Sequence, residues 1–180
     1  MQPLESITIE GNTYYESYPL RFNCISSGVT LLSYALGTAI FYFIDPIFGA
    51  GYALLCLSSL LVSMKLRCSY CYYYGKRCPS GLGVLGKLLF RKGDPKGFGN
   101  RKNLLAAGVL DFGAMLLAIL GGVALCVMRF SPLAAALLAA YVFVAVVAGF
   151  TMKKIFCGHC EQGRLGCPAY EGMKGKGSKR

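Results

Sequence analysis

The sequence predicts an all-α membrane protein, with four transmembrane helices arranged as two parallel helical-hairpin repeats, each followed by a cytoplasmic cysteine knuckle. Three observations predict it. Of 180 residues, 55% are hydrophobic and the mean hydropathy is +0.51, too apolar for an ordinary soluble fold of this size. Four stretches, Phe22 to Ile44, Ile47 to Met64, Leu104 to Met128 and Leu133 to Met152, approach the roughly 20 apolar residues that cross a hydrocarbon core of about 30 Å. The pattern C-x2-C-x6-C-P occurs twice, as CSYCYYYGKRCP from Cys68 to Pro79 and as CGHCEQGRLGCP from Cys157 to Pro168, each time after a pair of apolar stretches. So short a chain has too little polar surface to bury four such helices in a soluble core.

Residues 1–21 form an N-terminal tail expected on the cytoplasmic side. Within it SITIEGNTYYESY alternates apolar and polar residues around Gly11-Asn12, the pattern of a small β-hairpin. Such a hairpin is marginal alone and is expected to rest on another part of the chain. The tail carries Glu5, Glu10 and Glu16 rather than a basic leader region, and no small-residue cleavage site follows the first span, which is therefore expected to stay as an anchor.

Residues 22–80 make the first repeat, two spans joined by Asp45-Pro46 and then the cysteine motif. Residues 104–169 make the second, its spans joined by Arg129 to Pro132. Aligning the motifs sets Phe22 to Met64 against Leu104 to Met152, with Met64-Lys65 matching Met152-Lys153. Each unit holds an even number of spans, so both insert the same way and any symmetry is a pseudo-two-fold along the membrane normal. Both motifs then lie over the same end of the bundle.

Between the repeats, residues 81–103 form a basic loop. SGLGVLGKLLFRKGD combines Leu82, Val84, Leu85, Leu88, Leu89 and Phe90 with Lys87, Arg91 and Lys92, which predicts a short helix in the membrane interface. Gly81, Gly83 and Gly86 match the G-x-G-x-x-G pattern of dinucleotide sites, but that pattern requires a preceding strand within a βαβ unit. Here it reads as a coincidence of a glycine-rich region. Residues 170–180, ending KGKGSKR, are expected to be a disordered basic tail.

The 19 Lys and Arg fix the expected orientation. Ten lie between Lys65 and Asn103, seven follow Met152, and one is Arg21, against Arg129 alone in a turn across the membrane. The positive-inside rule places both termini and the loop in the cytoplasm of a multi-pass protein of the cell (inner) membrane. The net charge of +11 follows from this topology. Its expected partner is a bilayer with anionic headgroups rather than nucleic acid.

Of nine cysteines, Cys24, Cys56 and Cys126 lie in the predicted spans, where cysteine acts as a small hydrophobe. The other six, Cys68, Cys71, Cys78, Cys157, Cys160 and Cys167, are candidate metal ligands, since clustered cysteines in a reducing compartment more often bind metal than form disulfides. A C-x2-C turn points two thiolates at one centre, and two such turns make a tetrahedral sulfur site suited to zinc or iron. Lys65, Arg67, Lys76, Arg77, Lys153, Lys154 and Arg164 are expected to offset the thiolate charge.

Cys78 and Cys167 exceed what one zinc needs. Each precedes proline, as one ligand of bacterial ferredoxin-type iron–sulfur runs does, though the spacing differs. Three arrangements stay open: one cluster drawing on four sulfurs, two sites of three cysteines each with a further ligand, or a binuclear centre on six. His159, the only histidine, matches Tyr70 in the first copy, so a symmetric site does not need it, and an exposed side chain is expected.

Asp111 is the one charged residue well inside a span, about 12 Å of helix rise past Asn103, and is a candidate functional carboxylate. Asn23, Ser26, Ser27, Thr30, Ser33 and Tyr34 of the first span are its expected partners. No second buried charge or broken helix points to transport. Two readings of function follow. In the preferred one zinc staples the hairpins of a scaffold that assembles with another membrane protein; in the alternative an iron–sulfur cluster takes electrons from a cytoplasmic donor. A thiol–disulfide centre ranks third, and whether the protein is an enzyme stays open.

Overall fold

The computed structural model describes residues 6–9, 12–129, 131–151, 156–168 and 170. In chain order its elements are β1 (Ser6–Ile9), β2 (Asn12–Tyr15), α1 (Leu20–Ile44), α2 (Pro46–Leu66), α3 (Leu82–Leu89), α4 (Arg101–Met128), α5 (Pro132–Thr151) and α6 (Glu161–Arg164). Short 3-10 turns cover Cys68–Tyr70, Pro95–Gly99 and Cys157–His159. Helices α1, α2, α4 and α5 are long and apolar enough to cross a bilayer, and the chain is a multi-pass membrane protein.

Local chemistry sets the helix ends. Asp45 is extended, with φ −159° and ψ 136°, and stops α1; its carboxylate then accepts from the Ile47 amide at 2.7 Å while Pro46 opens α2. Pro suits this first helical position because its missing N–H would have no partner there. The second hairpin uses the same device: the Ser131 hydroxyl accepts from the Ala134 amide at 3.2 Å, and Pro132 opens α5. Helix α4 starts earlier than its apolar run, because the Asn100 side chain accepts from the Lys102 amide at 3.1 Å and winds Arg101 to Asn103 into the helix. Those three residues belong to α4 rather than to the loop.

Helix α1 packs against α2, α4 and α5, and α4 packs against α1, α2 and α5. Exchanging α1 with α4 and α2 with α5 leaves this set unchanged. The core holds Ile40, Tyr52, Cys56, Ala118, Leu125, Ala134 and Tyr141. One stripe of α4, Ala107, Ala114, Ala118, Gly121 and Gly122, is buried, the small-residue surface that lets helices approach in lipid. Rings fill what these residues leave open: a Cβ on Gly121 would lie 2.7 Å from the Phe41 ring. Phe41 stacks on Tyr52, ring centres 4.9 Å apart, and the Tyr52 hydroxyl donates to the Ala114 carbonyl at 3.1 Å. Outward-facing Leu31, Leu54, Leu120, Phe143 and Val146 are exposed, an apolar exterior that lipid covers and water would not.

The predicted N-terminal hairpin is present, with Ser6 paired to Tyr15 and Ile9 to Asn12; Gly11 lies outside the described residues. The tail after residue 170 lies outside them too.

The approach of α1 to α2 tests this packing. A Cβ on Gly49 would sit 2.9 Å from the backbone Cα of Tyr42, whereas Gly51 faces open space. Gly49→Ala is expected to destabilise the protein by about 1–3 kcal/mol through overpacking, and Gly51→Ala to leave stability unchanged or raise it, both read as thermal midpoints in detergent micelles.

Candidate metal centre

Where α2 ends, the backbone bends into a turn at each cysteine of the first motif. The Cys71 amide donates to the Cys68 carbonyl at 3.3 Å, the Tyr74 amide to Cys71 at 3.0 Å and the Gly81 amide to Cys78 at 3.1 Å. The second motif repeats all three: Cys160 to Cys157 at 3.3 Å, Gly163 to Cys160 at 2.9 Å and Tyr170 to Cys167 at 2.9 Å. All six cysteine carbonyls therefore accept from the residue three positions on. All nine cysteines are free thiols.

Amides and a hydroxyl also meet the sulfurs. The Gly83 amide donates to Cys78 Sγ at 3.3 Å, and Ser80 Oγ lies 3.2 Å from the same atom. The backbone N–H of Tyr73 favours the thiolate form of Cys71, and those of Gly163 and Gln162 favour that of Cys160. Burial nonetheless pushes the Cys71 thiol up to about 12 and the Cys160 thiol up to about 11, and raises Cys157 as well. These thiols keep their protons at neutral pH. A thiol–disulfide centre attacks through an acidified thiolate, which burial here opposes, whereas a bound cation displaces such protons itself.

The two motifs touch each other. The Tyr72 amide donates to Gln162 Oε1 at 2.7 Å, and the Glu161 amide donates to the Tyr73 hydroxyl at 3.1 Å. Matching Cys68 to Cys157 pairs Tyr72 with Glu161 and Tyr73 with Gln162, so exchanging the copies turns one bond into the other. Reciprocity of this kind is what a two-fold contact produces. Cys71 and Cys160, which precede these amides, pack against one buried cluster of Tyr18, Tyr73, Cys78 and Phe156.

The N-terminal segment completes the junction. Tyr18, 1% exposed, donates its amide to the Arg77 carbonyl at 2.9 Å and its hydroxyl to the Phe156 carbonyl at 2.7 Å, bridging both motifs. Tyr15 pairs with Cys160 as an isolated bridge, and its carbonyl accepts from the Tyr73 hydroxyl. Gln162 is the position of this junction that sequence reasoning did not assign to the site; for Tyr15 and Tyr18 the dense tyrosines of YYESY and CYYYG were the signal that the N-terminal tail packs over the cysteine motifs.

Several expectations change. His159 is half-buried rather than exposed, its ring 5.7 Å from that of Tyr15. Arg164 pairs with the Glu161 carboxylate, and Lys76 lies 4.4 Å over the Tyr72 ring; Arg67 pairs with Asp111 while its charge also favours the Cys68 thiolate, as expected; Lys153 and Lys154 lie outside the described residues. The match of Gly81, Gly83 and Gly86 to the dinucleotide pattern stays a coincidence, since a cysteine turn and not a strand precedes α3, but the glycines have a packing use. Gly81 takes a left-handed φ of 74°, a Cβ on Gly83 would collide with the carbonyls of Tyr73 and Lys76, and one on Gly86 would lie 3.3 Å from the Cys68 Cβ. The glycines seat α3 on the first cysteine motif.

Among the described residues, no three Cys, His, Asp or Glu side chains are grouped as a metal ion would need them. The donor chemistry still fits a cation. Glu161, next to Cys160, is 4% exposed; Arg164 bonds one of its oxygens at 2.9 Å, and Oε2 is buried with no partner. An orphaned buried carboxylate oxygen is rare in a folded protein and calls for a counter-ion or donor.

Asp111 finds its hydrogen-bond partners on α2 and at Arg67, just past its end, not on α1. It bonds Ser59, accepts from Ser63 at 3.2 Å and pairs with Arg67 at 3.3 Å. Positions 59, 63 and 67 share one helical face. Thr30 and Ser33 instead donate to carbonyls of their own helix, at 3.0 and 2.9 Å, and Ser27 bonds Asn23 and Ser80. Since Arg67 precedes Cys68, the carboxylate ties α4 to the root of the first cysteine motif. No family model matches the chain, and neither a curated protein nor a solved structure is similar to it.

Asp111→Asn and Arg67→Gln test this tie. A double-mutant cycle on unfolding in micelles is expected to give a coupling of about 1 kcal/mol, and the pair Asp111 with Lys65 none.

Proposed function

We propose that the protein is a membrane scaffold of two parallel hairpin repeats, stapled at their cytoplasmic ends by a cysteine metal centre. Zinc is the metal, held among Cys68, Cys71, Cys78, Cys157, Cys160 and Cys167. The observation that carries this reading is the reciprocal pair of hydrogen bonds, Tyr72 to Gln162 and Glu161 to Tyr73, which brings equivalent cysteines to one junction. These six cysteines would supply the thiolates, from turns whose carbonyls accept equivalent backbone hydrogen bonds in the two motifs. The metal supplies the cross-link, and the chain supplies the donors and the outer hydrogen bonds that orient them. Another membrane protein is the assembly partner.

A second reading rests on a different observation. Amides aimed at the sulfurs of Cys71, Cys78 and Cys160 are also what tunes an iron–sulfur cluster, which would pass electrons from a cytoplasmic donor. Purification without oxygen, followed by elemental analysis and visible absorption, separates the two. A colourless sample containing zinc is expected; a brown one containing iron and sulfide selects electron transfer; a sample with neither metal overturns both. Cys71→Ser and Cys160→Ser are expected to weaken metal binding equally, by more than the roughly tenfold that loss of even an outer partner causes, with Cys24→Ser unchanged.

A further inference from the structure

Helix α3 turns its two faces to different neighbours. The inner face, Gly83 and Gly86, is buried against the first cysteine motif, and the Tyr74 hydroxyl holds the Phe90 carbonyl beyond its end at 2.7 Å. The outer face is apolar and exposed among the described residues: Val84 is 41% exposed, Leu85 46%, Leu88 78% and Leu89 56%. Lys87, Arg91 and Lys92, all exposed, stand beside it.

The level of α3 along the bundle identifies what covers that face. Its N-terminal Gly81 abuts Asn23 and Ser27 of α1, and the Ser80 carbonyl accepts from the Ser27 hydroxyl at 3.2 Å. Ser27 lies two turns inside α1, which starts at Leu20, about 10 Å along the axis. The helix thus lies beside the ends of the membrane-spanning helices, not above them. That is the depth at which an amphipathic helix buries its apolar face, about 5–10 Å into the boundary between headgroups and acyl chains. The three cations would repel the same patch on a second copy and attract anionic headgroups.

We propose that α3 is an anionic-lipid-binding interfacial helix, with Val84, Leu85, Leu88 and Leu89 among the acyl chains and Lys87, Arg91 and Lys92 at lipid phosphates. Lipid then holds one face of α3 while its glycines hold the cysteine motif on the other, fixing Cys78 at the membrane surface. This stands whether or not the cysteines bind metal.

The sequence has no tryptophan, so Leu88→Trp creates a single reporter, and Val84→Trp reads the same face should the first variant misfold. The protein is placed in vesicles of phosphatidylcholine alone or mixed with phosphatidylglycerol, brominated on the acyl chains near the headgroup. Blue-shifted emission quenched by bromine is expected, more strongly with phosphatidylglycerol, and Lys87→Gln/Arg91→Gln/Lys92→Gln should remove that difference. Water-like, unquenched emission would overturn the proposal, as would blue-shifted emission that bromine does not quench, which means a protein partner or second copy covers the face. Equal quenching in both lipids would overturn the anionic preference.

Discussion

Two amides with nothing regular to bond to decide how this bundle closes. Tyr72 and Glu161 follow 3-10 turns beyond the ends of membrane helices, where backbone groups have left the helical ladder and must find partners elsewhere. Each finds a side chain of the other motif, Gln162 and Tyr73. The consequence reaches the helices, because apolar faces in lipid gain little from meeting each other rather than acyl chains. Close packing holds the pairs together, but polar cross-links at one end fix which position of one hairpin lies opposite which position of the other.

Inside the bundle the same division of labour holds. The small-residue stripe of α4 lets Phe41, Tyr52 and Leu138 lie against its backbone, which gives contact area without selecting a register sharply. Register is selected by directional bonds, Tyr52 to the Ala114 carbonyl and Asp111 to Ser59, Ser63 and Arg67. The carboxylate in the apolar segment is therefore tolerable for an ordinary reason: it reaches two hydroxyls on one face of α2 and the guanidinium of Arg67 just past its end.

Much of this was legible in the sequence because lipid imposes a one-dimensional constraint. Length and hydropathy located all four spans, since a segment that crosses must satisfy its own backbone, and Asp45-Pro46 marked a turn as the short break between two apolar stretches. What the sequence did not reveal depends on facing. Asp111 has candidate partners on both α1 and α2, and only the rotation of α4 toward α2 chooses Ser59 and Ser63 over Thr30 and Ser33; the spacing of Ser59, Ser63 and Arg67 was the visible hint. Gly81, Gly83 and Gly86 look alike on paper whether they approach a phosphate or a carbonyl. Their use was decided by the tertiary neighbour, here Tyr73 and Lys76.

The two cysteine motifs agree where they face each other and differ where they face away. Beyond the reciprocal bonds, α3 flanks the first motif alone, while the Tyr15 ring and backbone lie against His159 and Cys160 of the second. Inside it the six carbonyl turns match, and the amide bonds are exchanged like for like. Cys78 and Cys167 belong to the matching part, although one tetrahedral ion is complete with four sulfurs. A clasp built only on Cys68, Cys71, Cys157 and Cys160 would leave those two positions free to diverge in backbone as the flanking segments have. They open equivalent turns, and the Gly83 amide donates to the Cys78 sulfur, so the third cysteine of each motif keeps the backbone of its counterpart where the flanking segments do not.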